Sequence, residues 1–519
     1  MVLNCDKQTW LMRIEAVNMD ATIDDTNQLS VRRGASMAMR EALKGIHEIP
    51  PLKKCSVQAI RRGGSIALLK LEQLTKDEAG TLRDAILKWL QGKDGSADEK
   101  LRAVLEQTGF CVSIIPVDEA NDATDATVLE KLTAMNRFEQ LQSPSLHMGD
   151  LQASTSGTGT CHYNGFRPAK GNDQAISHTV HKRFSYGKEQ KQAFINAEIE
   201  TQERYDFVNS LEDLSLNPGH GISTSLAGKM AVLYFDGNHF GKHQHDLDLS
   251  AQKYFDAELY DKRHAFLLEL VKRFSATPQM KNGNKLRLEL LLWGGDEVML
   301  VVPGWAGFST LRLFYKQMEG LGEKSIGTPL THAGGLVFCS HKTPIQRISR
   351  LARELVEHAK EFSRKQDLYF PLLLESEDYP LQHVREHWEE HYGAFGRHIL
   401  PISPPAVFQL EYLKELQEKG CKGLFRRWVV ARHQGKKAEA ETLKAELAKQ
   451  MDLKCLESAL HGLFPSMEKQ VLANEQGLEV LLKQEICDHH ASTVSLQPWI
   501  FTLEYWDYLL GEFLQEKQP

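Results

Sequence analysis

The stretch from Met230 to Pro303 opens M-A-V-L-Y-F-D-G-N-H-F-G-K, residues 230–242, and closes L-R-L-E-L-L-L-W-G-G-D-E-V-M-L-V-V-P, residues 286–303. The opening is an apolar run of strand length that stops at Asp236. The close is two such runs joined by Gly294, Gly295, Asp296 and Glu297, and the Gly-Gly pair is a hairpin signal. From Lys285 to Leu292 the pattern alternates. Leu286, Leu288, Leu290 and Leu292 are expected on one face and Arg287 and Glu289 on the other, as in a half-buried strand. A helical pattern fills about Tyr254 to Phe274, so the order is strand, helix, strand, hairpin, strand. A right-handed crossover makes the first two strands parallel, and the third returns between them. The end of the first strand and the hairpin then share one edge of the sheet, which brings Asp236 to Asp296 and Glu297. Clustered carboxylates repel one another, so such a cluster is expected to hold a divalent cation. Mg²⁺, or Mn²⁺ in its place, suits a few carboxylates plus substrate phosphates. Such ions activate a hydroxyl and steady a leaving pyrophosphate in nucleotidyl transfer.

The D-G-N-x-F-G-K strand end and the G-G-D-E hairpin resemble the palm-type nucleotide cyclase and polymerase domains, among them the G-G-D-E-F diguanylate cyclases. The nearer resemblance is to the palm-domain large subunit of type III CRISPR effector complexes, with its G-G-D-D palm. The resemblance implies Asp236, Asp296 and Glu297 as catalytic carboxylates, with Gly237 beside the metal. It implies nucleotide contacts from Asn238, Phe240, Gly241, Lys242, Gly294 and Gly295, and from Gly34 and Ser36 of a first palm. An Ala-Lys near the end of the helix over 345–364 implies Lys360 as a phosphate ligand, with Arg364 as a second cation. The chain departs from the pattern in reading G-G-D-E for G-G-D-D and in placing Asn238 where an acidic residue is common, which thins the metal shell.

Working outward, residues 1–120 repeat the organising pattern. Thr9–Met19, Cys55–Ile60, Ser65–Leu71 and Phe110–Pro116 read as strands, and Gly34–Gly45 and Leu82–Gln91 as helices, which is the ferredoxin-like order. Its hairpin carries Gly63, Gly64 and Ser65 where the later copy has Gly294, Gly295 and Asp296. A serine cannot replace a carboxylate as a strong magnesium ligand, so this copy reads as an inactive sister. Asp20, Asp24 and Asp25 read as a solvated loop. Residues 121–228 form a less regular linker with a helix over Asp125–Gln142. In it Cys161 lacks a cysteine partner, and His147 and His162 do not complete a tetrahedral site, so zinc is not expected. The basic stretch His181–Lys188 reads as solvated linker. His239, His243 and His245 read as exposed loop histidines, and Asp246 and Asp248 as solvated. Residues 229–385 are the active copy. Residues 386–519 turn helical, and D-H-H at 488–490 reads as chance.

The expected fold class is therefore α+β: two ferredoxin-like palm domains, the first degenerate and the second with the G-G-D-E hairpin, plus a linker domain and a C-terminal helical bundle. At 519 residues, 42% hydrophobic and 25% charged, the chain has ordinary globular composition, and its net charge of −7 excludes a surface that is basic throughout. The eight cysteines include no C-x-x-C pair, the start lacks a signal pattern, and no apolar run reaches membrane-spanning length. A cytoplasmic setting follows as an expectation. The functional expectation is a nucleotidyltransferase making a cyclic nucleotide or oligonucleotide from nucleoside triphosphates, ATP foremost, in antiviral defence. RNA and CRISPR-type effector subunits are the implied partners. A scaffold subunit and a nucleotide-sensing palm without turnover are the alternatives.

Overall fold

In the computed structural model the described residues are 7–17, 22–53, 55–95, 98–117, 125–142, 159–169, 175–245, 247–374, 383–392, 399–404, 419–450, 497 and 499–513. The first unit runs β1 (Gln8–Val17), α1 (Leu29–Gly45), β2 (Ser56–Arg62), β3 (Ile66–Leu74), α2 (Lys76–Leu90), α3 (Glu99–Leu105) and β4 (Gly109–Pro116). Its sheet order is β2-β3-β1-β4 with antiparallel neighbours throughout. The element order is the one the sequence predicts, with α3 and a short helix at Pro50–Lys53 added. The start of α2 shows how local chemistry sets a boundary. Thr75 and Glu78 form a reciprocal capping box, which satisfies two backbone donors that the first turn would leave free.

The linker supplies α4 (Asp125–Gln142), α5 (His178–Glu189) and α6 (Lys191–Ile199). The second unit follows as β5 (Lys229–Gly237), α7 (Leu249–Ala276), β6 (Glu289–Gly294), β7 (Glu297–Pro303), α8 (Gly307–Met318), β8 (His332–Ser340), α9 (Ile345–Phe362) and β9 (Leu368–Leu373). Its sheet order is β9-β8-β5-β7-β6, the first unit's order with one strand added parallel to β8. Since β7 is antiparallel to both β5 and β6, β5 and β6 run parallel, as the crossover argument requires. One face of this sheet packs Ala231, Leu233 and Phe235 with α7 and α8. The other packs Met230, Val232 and Tyr234 under Ile348, Leu351, Leu355 and Val356 of α9.

Three expectations are corrected. The alternation over 285–292 does not mark a half-buried strand, because Arg287 and Glu289 are 2% and 1% exposed. Arg287 donates to the carbonyls of Asp213, Leu214, Leu216 and Asn217. Glu289 accepts from Arg33 at 2.6 and 2.7 Å and from Lys191 at 2.5 Å. A bulge at Leu291, where Leu300 pairs with Leu290 but Met299 with Leu292, also turns Leu292 to the face opposite Leu290. Second, the basic stretch His181–Lys188 lies within α5, packed on α1. Arg183 is fully buried and grips Asp25 with two bonds of 2.9 and 2.7 Å. Asp25 is therefore ion-paired and not a solvated loop residue, and Asp24 pairs with Arg32 and Arg353. Third, the sequence predicts that α9 begins with Thr343 as its N-cap and Pro344 as its first residue, but both precede it and its start has no side-chain cap.

The described C-terminal part is helical: Val384–Tyr392, then α10 (Lys422–His433), α11 (Lys437–Ala448) and α12 (Trp506–Phe513). Asp20, His147, Asp246, the helix expected over 411–418 and the motif at 488–490 lie outside the described residues. Cys161 is packed with Val31, Ile176 and Val180. Among the described residues no helix is long and apolar enough to cross a membrane.

Candidate active site

The pairing of Val298 with Phe235, extended by one step, sets Glu297 across from Asp236. Successive side chains on a strand alternate faces, so Tyr234, Asp236, Glu297 and Met299 share one face, and all four line one cavity of about 430 Å³. Tyr234 Oη donates to Glu297 at 2.7 Å. The turn before β7 is Gly295-Asp296. Gly295 has φ of 59°, a conformation open to glycine at the first position of a tight hairpin. Arg263 of α7 fixes that turn by donating to the Gly295 carbonyl at 2.7 Å.

Asp296, on the turn, lines a neighbouring cavity of about 160 Å³ with Ser36, Arg61, Gly63, Gly64, Gly295 and Glu297. Both cavities lie between the two units, since each is lined by Ile23 and Ser65 from the first and by Leu292 and Glu297 from the second. The two hairpin tips touch backbone to backbone. A Cβ on Gly294 would stand 2.3 Å from Gly64 Cα, and one on Gly64 would stand 3.0 Å from Gly294 Cα. Only glycine permits that approach.

The electrostatics follow from this layout. Burial is the largest influence on Asp236 and raises it. The Lys360 ammonium, bonded to Asp236 Oδ2 at 2.5 Å, opposes burial, and the charges of Asp296 and Glu297 reinforce it. The net position is a carboxyl raised to about 6. Burial works against charge on Lys360 too, but its bonds to Asp236 and Glu357 outweigh it and hold the ammonium above its ordinary value. Burial lowers Arg61, opposed by the charges of Asp296 and Asp256. His239 is lowered by burial and by the charges of Arg364, Lys242 and Lys360 around it. These cations lie around His239, just past the end of β5, and of them Lys360 is bonded to Asp236.

Gly34, Gly237, Phe240 and Asn238 each have a place in the packing. A Cβ on Gly34 would stand 2.0 Å from the Arg183 carbonyl, so this glycine permits the crossing of α1 and α5. Gly237 makes room for the Phe240 ring, 2.3 Å from the Cβ it lacks. Phe240 is core, against Phe255 and His332. Asn238 is buried and bonded to Thr331 through its backbone N–H and its side-chain amide. Gly241 stands in open space. Asp248 is exposed and caps α7 through Ala251 N–H at 2.7 Å.

Among the described residues no group of three or more His, Cys, Asp or Glu side chains is placed to hold a metal ion. Asp236 and Glu297 line one cavity and Asp296 the adjoining one, so these hard oxygen donors do not enclose an ion by themselves, and a Mg²⁺ held here would need substrate phosphates to complete its shell. Sequence reasoning missed Tyr234, Arg353 and Glu357 as cavity residues. A signal existed for each: Tyr234 shares strand parity with Asp236, and Arg353, Glu357 and Lys360 fall at i, i+4 and i+7 on one helix face.

A β-α-β-β-α-β sheet with carboxylates at the end of its first strand and at its central hairpin is a palm domain. Residues 229–369 match the family model described as Cas10/Cmr2, second palm domain. Through this domain the chain resembles the palm-domain large subunit of type III CRISPR effector complexes. No curated protein matches the chain. Among solved structures, an apo Csm1–Csm4 cassette is 14% identical over 97% of this chain and 71% of its own, with a TM-score of 0.44. Csm1 of T. onnurineus is 14% identical over 95% and 70%, with a TM-score of 0.43. A Csm1–Csm4 cassette in complex with cA4 is 14% identical over 70% and 55%, with a TM-score of 0.42. The chain thus spans little more than half the length of this last relative, and likenesses of this size say nothing of its activity or partners.

Proposed function

We propose that the chain is a nucleotidyltransferase that joins nucleoside triphosphates, ATP foremost, into a cyclic nucleotide or cyclic oligonucleotide. The observation that carries this reading is a cavity of about 430 Å³ between two palms that has Asp236 and Glu297 on its wall, with Lys360 bonded to Asp236. Asp236, Asp296 and Glu297 would hold Mg²⁺ or Mn²⁺ together with the triphosphate. The bound ion would lower the charge of the phosphates and the proton affinity of an attacking 3′ hydroxyl. Lys360, Lys242 and Arg364 draw the triphosphate to the end of β5, and on its arrival Lys360 exchanges Asp236 for phosphate oxygen. Glu297, steadied by Tyr234, either completes the ion's shell or accepts the hydroxyl proton. The Gly64–Gly294 contact keeps the acceptor nucleotide, on the first palm, in line with the donor. RNA and CRISPR-type effector subunits as partners, a role in antiviral defence and a cytoplasmic setting belong to the same proposal, supported by the family match over 229–369.

The test is incubation of the full chain with the four labelled ribonucleoside triphosphates and Mg²⁺ or Mn²⁺, with products resolved by chromatography and mass spectrometry. A phosphatase-resistant product is expected, reduced by at least about 100-fold in Asp296→Ala. A product made equally well by Asp296→Ala would overturn the reading. Binding of triphosphate without any product, with co-purified RNA retained, would favour the sensor alternative.

A further inference from the structure

Arg32 of α1 lines the larger cavity and is 2% exposed. A guanidinium carries five donors and no acceptor. Its Nη2 reaches Ser349 Oγ at 3.3 Å and pairs with Asp24. Among the described residues no acceptor reaches Nε or Nη1. Burying a charged donor without an acceptor is costly, so this arrangement is incomplete as it stands. Asp24 Oδ2 also holds Arg353 Nη1 at 2.6 Å, and that guanidinium lies over the Tyr234 ring, 5.8 Å from its centroid. One carboxylate therefore bridges two guanidinia, one from each palm, in the cavity that also contains Asp236 and Glu297. The first palm has Ser65 where the second has Asp296, so its hairpin offers no carboxylate for a cation. In the larger cavity Arg32 is the positive charge it brings.

We propose that Arg32 and Arg353 form a phosphate subsite of the inter-palm cavity, and that Asp24 is its built-in, displaceable occupant. A phosphate group presents more acceptor oxygens than one carboxylate and meets a guanidinium fork through two parallel bonds, so it satisfies the Arg32 donors that Asp24 leaves free. On phosphate entry Asp24 releases both guanidinia. Asp24 thereby sets a threshold: an anion that binds no better than a carboxylate does not enter. The phosphate belongs to a nucleotide or to a free polyphosphate. Choosing the nucleotide rests on the function proposed above, whereas the subsite itself does not.

Calorimetric titration of the full chain with inorganic tripolyphosphate, and separately with ATP, in the presence of EDTA tests this without metal or turnover. Arg353→Gln is expected to weaken tripolyphosphate binding about tenfold, Asp24→Asn to tighten it about tenfold, and Glu357→Gln, which removes another carboxylate of the same cavity, to change it less than about twofold. The same variant effects on ATP assign the subsite to nucleotide phosphates, and effects confined to tripolyphosphate assign it to free polyphosphate. An unchanged affinity in Arg353→Gln overturns the proposal. So does an Asp24→Asn gain no larger than that of Glu357→Gln, which would reduce Asp24 to one more negative charge. If Asp24→Asn does not fold, Arg353→Gln decides alone, because the Arg353 side chain is 36% exposed and its loss opens no core. Asp296→Ala is expected to keep this binding, so a failure of the nucleotidyl-transfer reading is distinguishable from a failure of this one.

Discussion

At Asp236 three influences meet: burial, a bonded ammonium and two neighbouring carboxylates. Their balance raises the carboxyl from 3.8 to about 6. The sign of the consequence is fixed. Unfolded, the group loses its proton near pH 4; folded, it keeps it to about pH 6. The folded chain thus binds the extra proton in that window, and this group's contribution to stability falls as pH rises through it. The ionised form that a cation needs becomes the minority form below about pH 6. Mn²⁺ binding, followed by electron paramagnetic resonance, is expected to fall away as pH drops through 6, and a midpoint near the ordinary carboxylate value of 3.8 would contradict this environment. The approach of Asp236 to Glu297 was legible in the sequence, because the right-handed crossover leaves the hairpin at the end of the first strand. The Arg32–Asp24–Arg353 bridge was not, because Gln346–Asp24 and Arg353–Asp24 contacts join residues more than 300 positions apart, and no local pattern announces such a pairing.

Among the elements, the two hairpins matter most. Gly64 and Gly294 at their tips are fixed by each other. Gly294→Ala places a Cβ 2.3 Å from Gly64 Cα and is expected to cost about 1–3 kcal/mol in denaturant unfolding, whereas Gly241→Ala, in open space, stays within about 0.5 kcal/mol. Equal effects would mean that the hairpin contact is not held in solution. Most elements were legible from periodicity, including β5, α7 and the hairpin. The failures have a common cause. Arg183 in α5 and Glu289 in β6 are charged, and a charged residue reads as solvent-facing unless its partner is known. Burial of each became affordable only through Asp25 and through Arg33 with Lys191.

For the whole molecule, the proposed function places its nucleotide sites between two palms of one chain. Under the proposed function, turnover per chain is expected to stay constant on dilution across at least about a 100-fold range, measured by initial rates. A fall in rate per chain on dilution would show that a second copy is required. The ion network that joins the palms has a further consequence, in time. Arg33 and Glu289 are 256 residues apart, and at synthesis rates of roughly 5–20 residues per second the first emerges from the ribosome tens of seconds before the second. Over that interval the nascent first palm holds a cation whose counter-charge has not been made, and Lys191 joins it before Glu289 arrives. The N-terminal half is therefore expected to wait, loosely formed, and to close around its own charges only when the strand that completes them is translated.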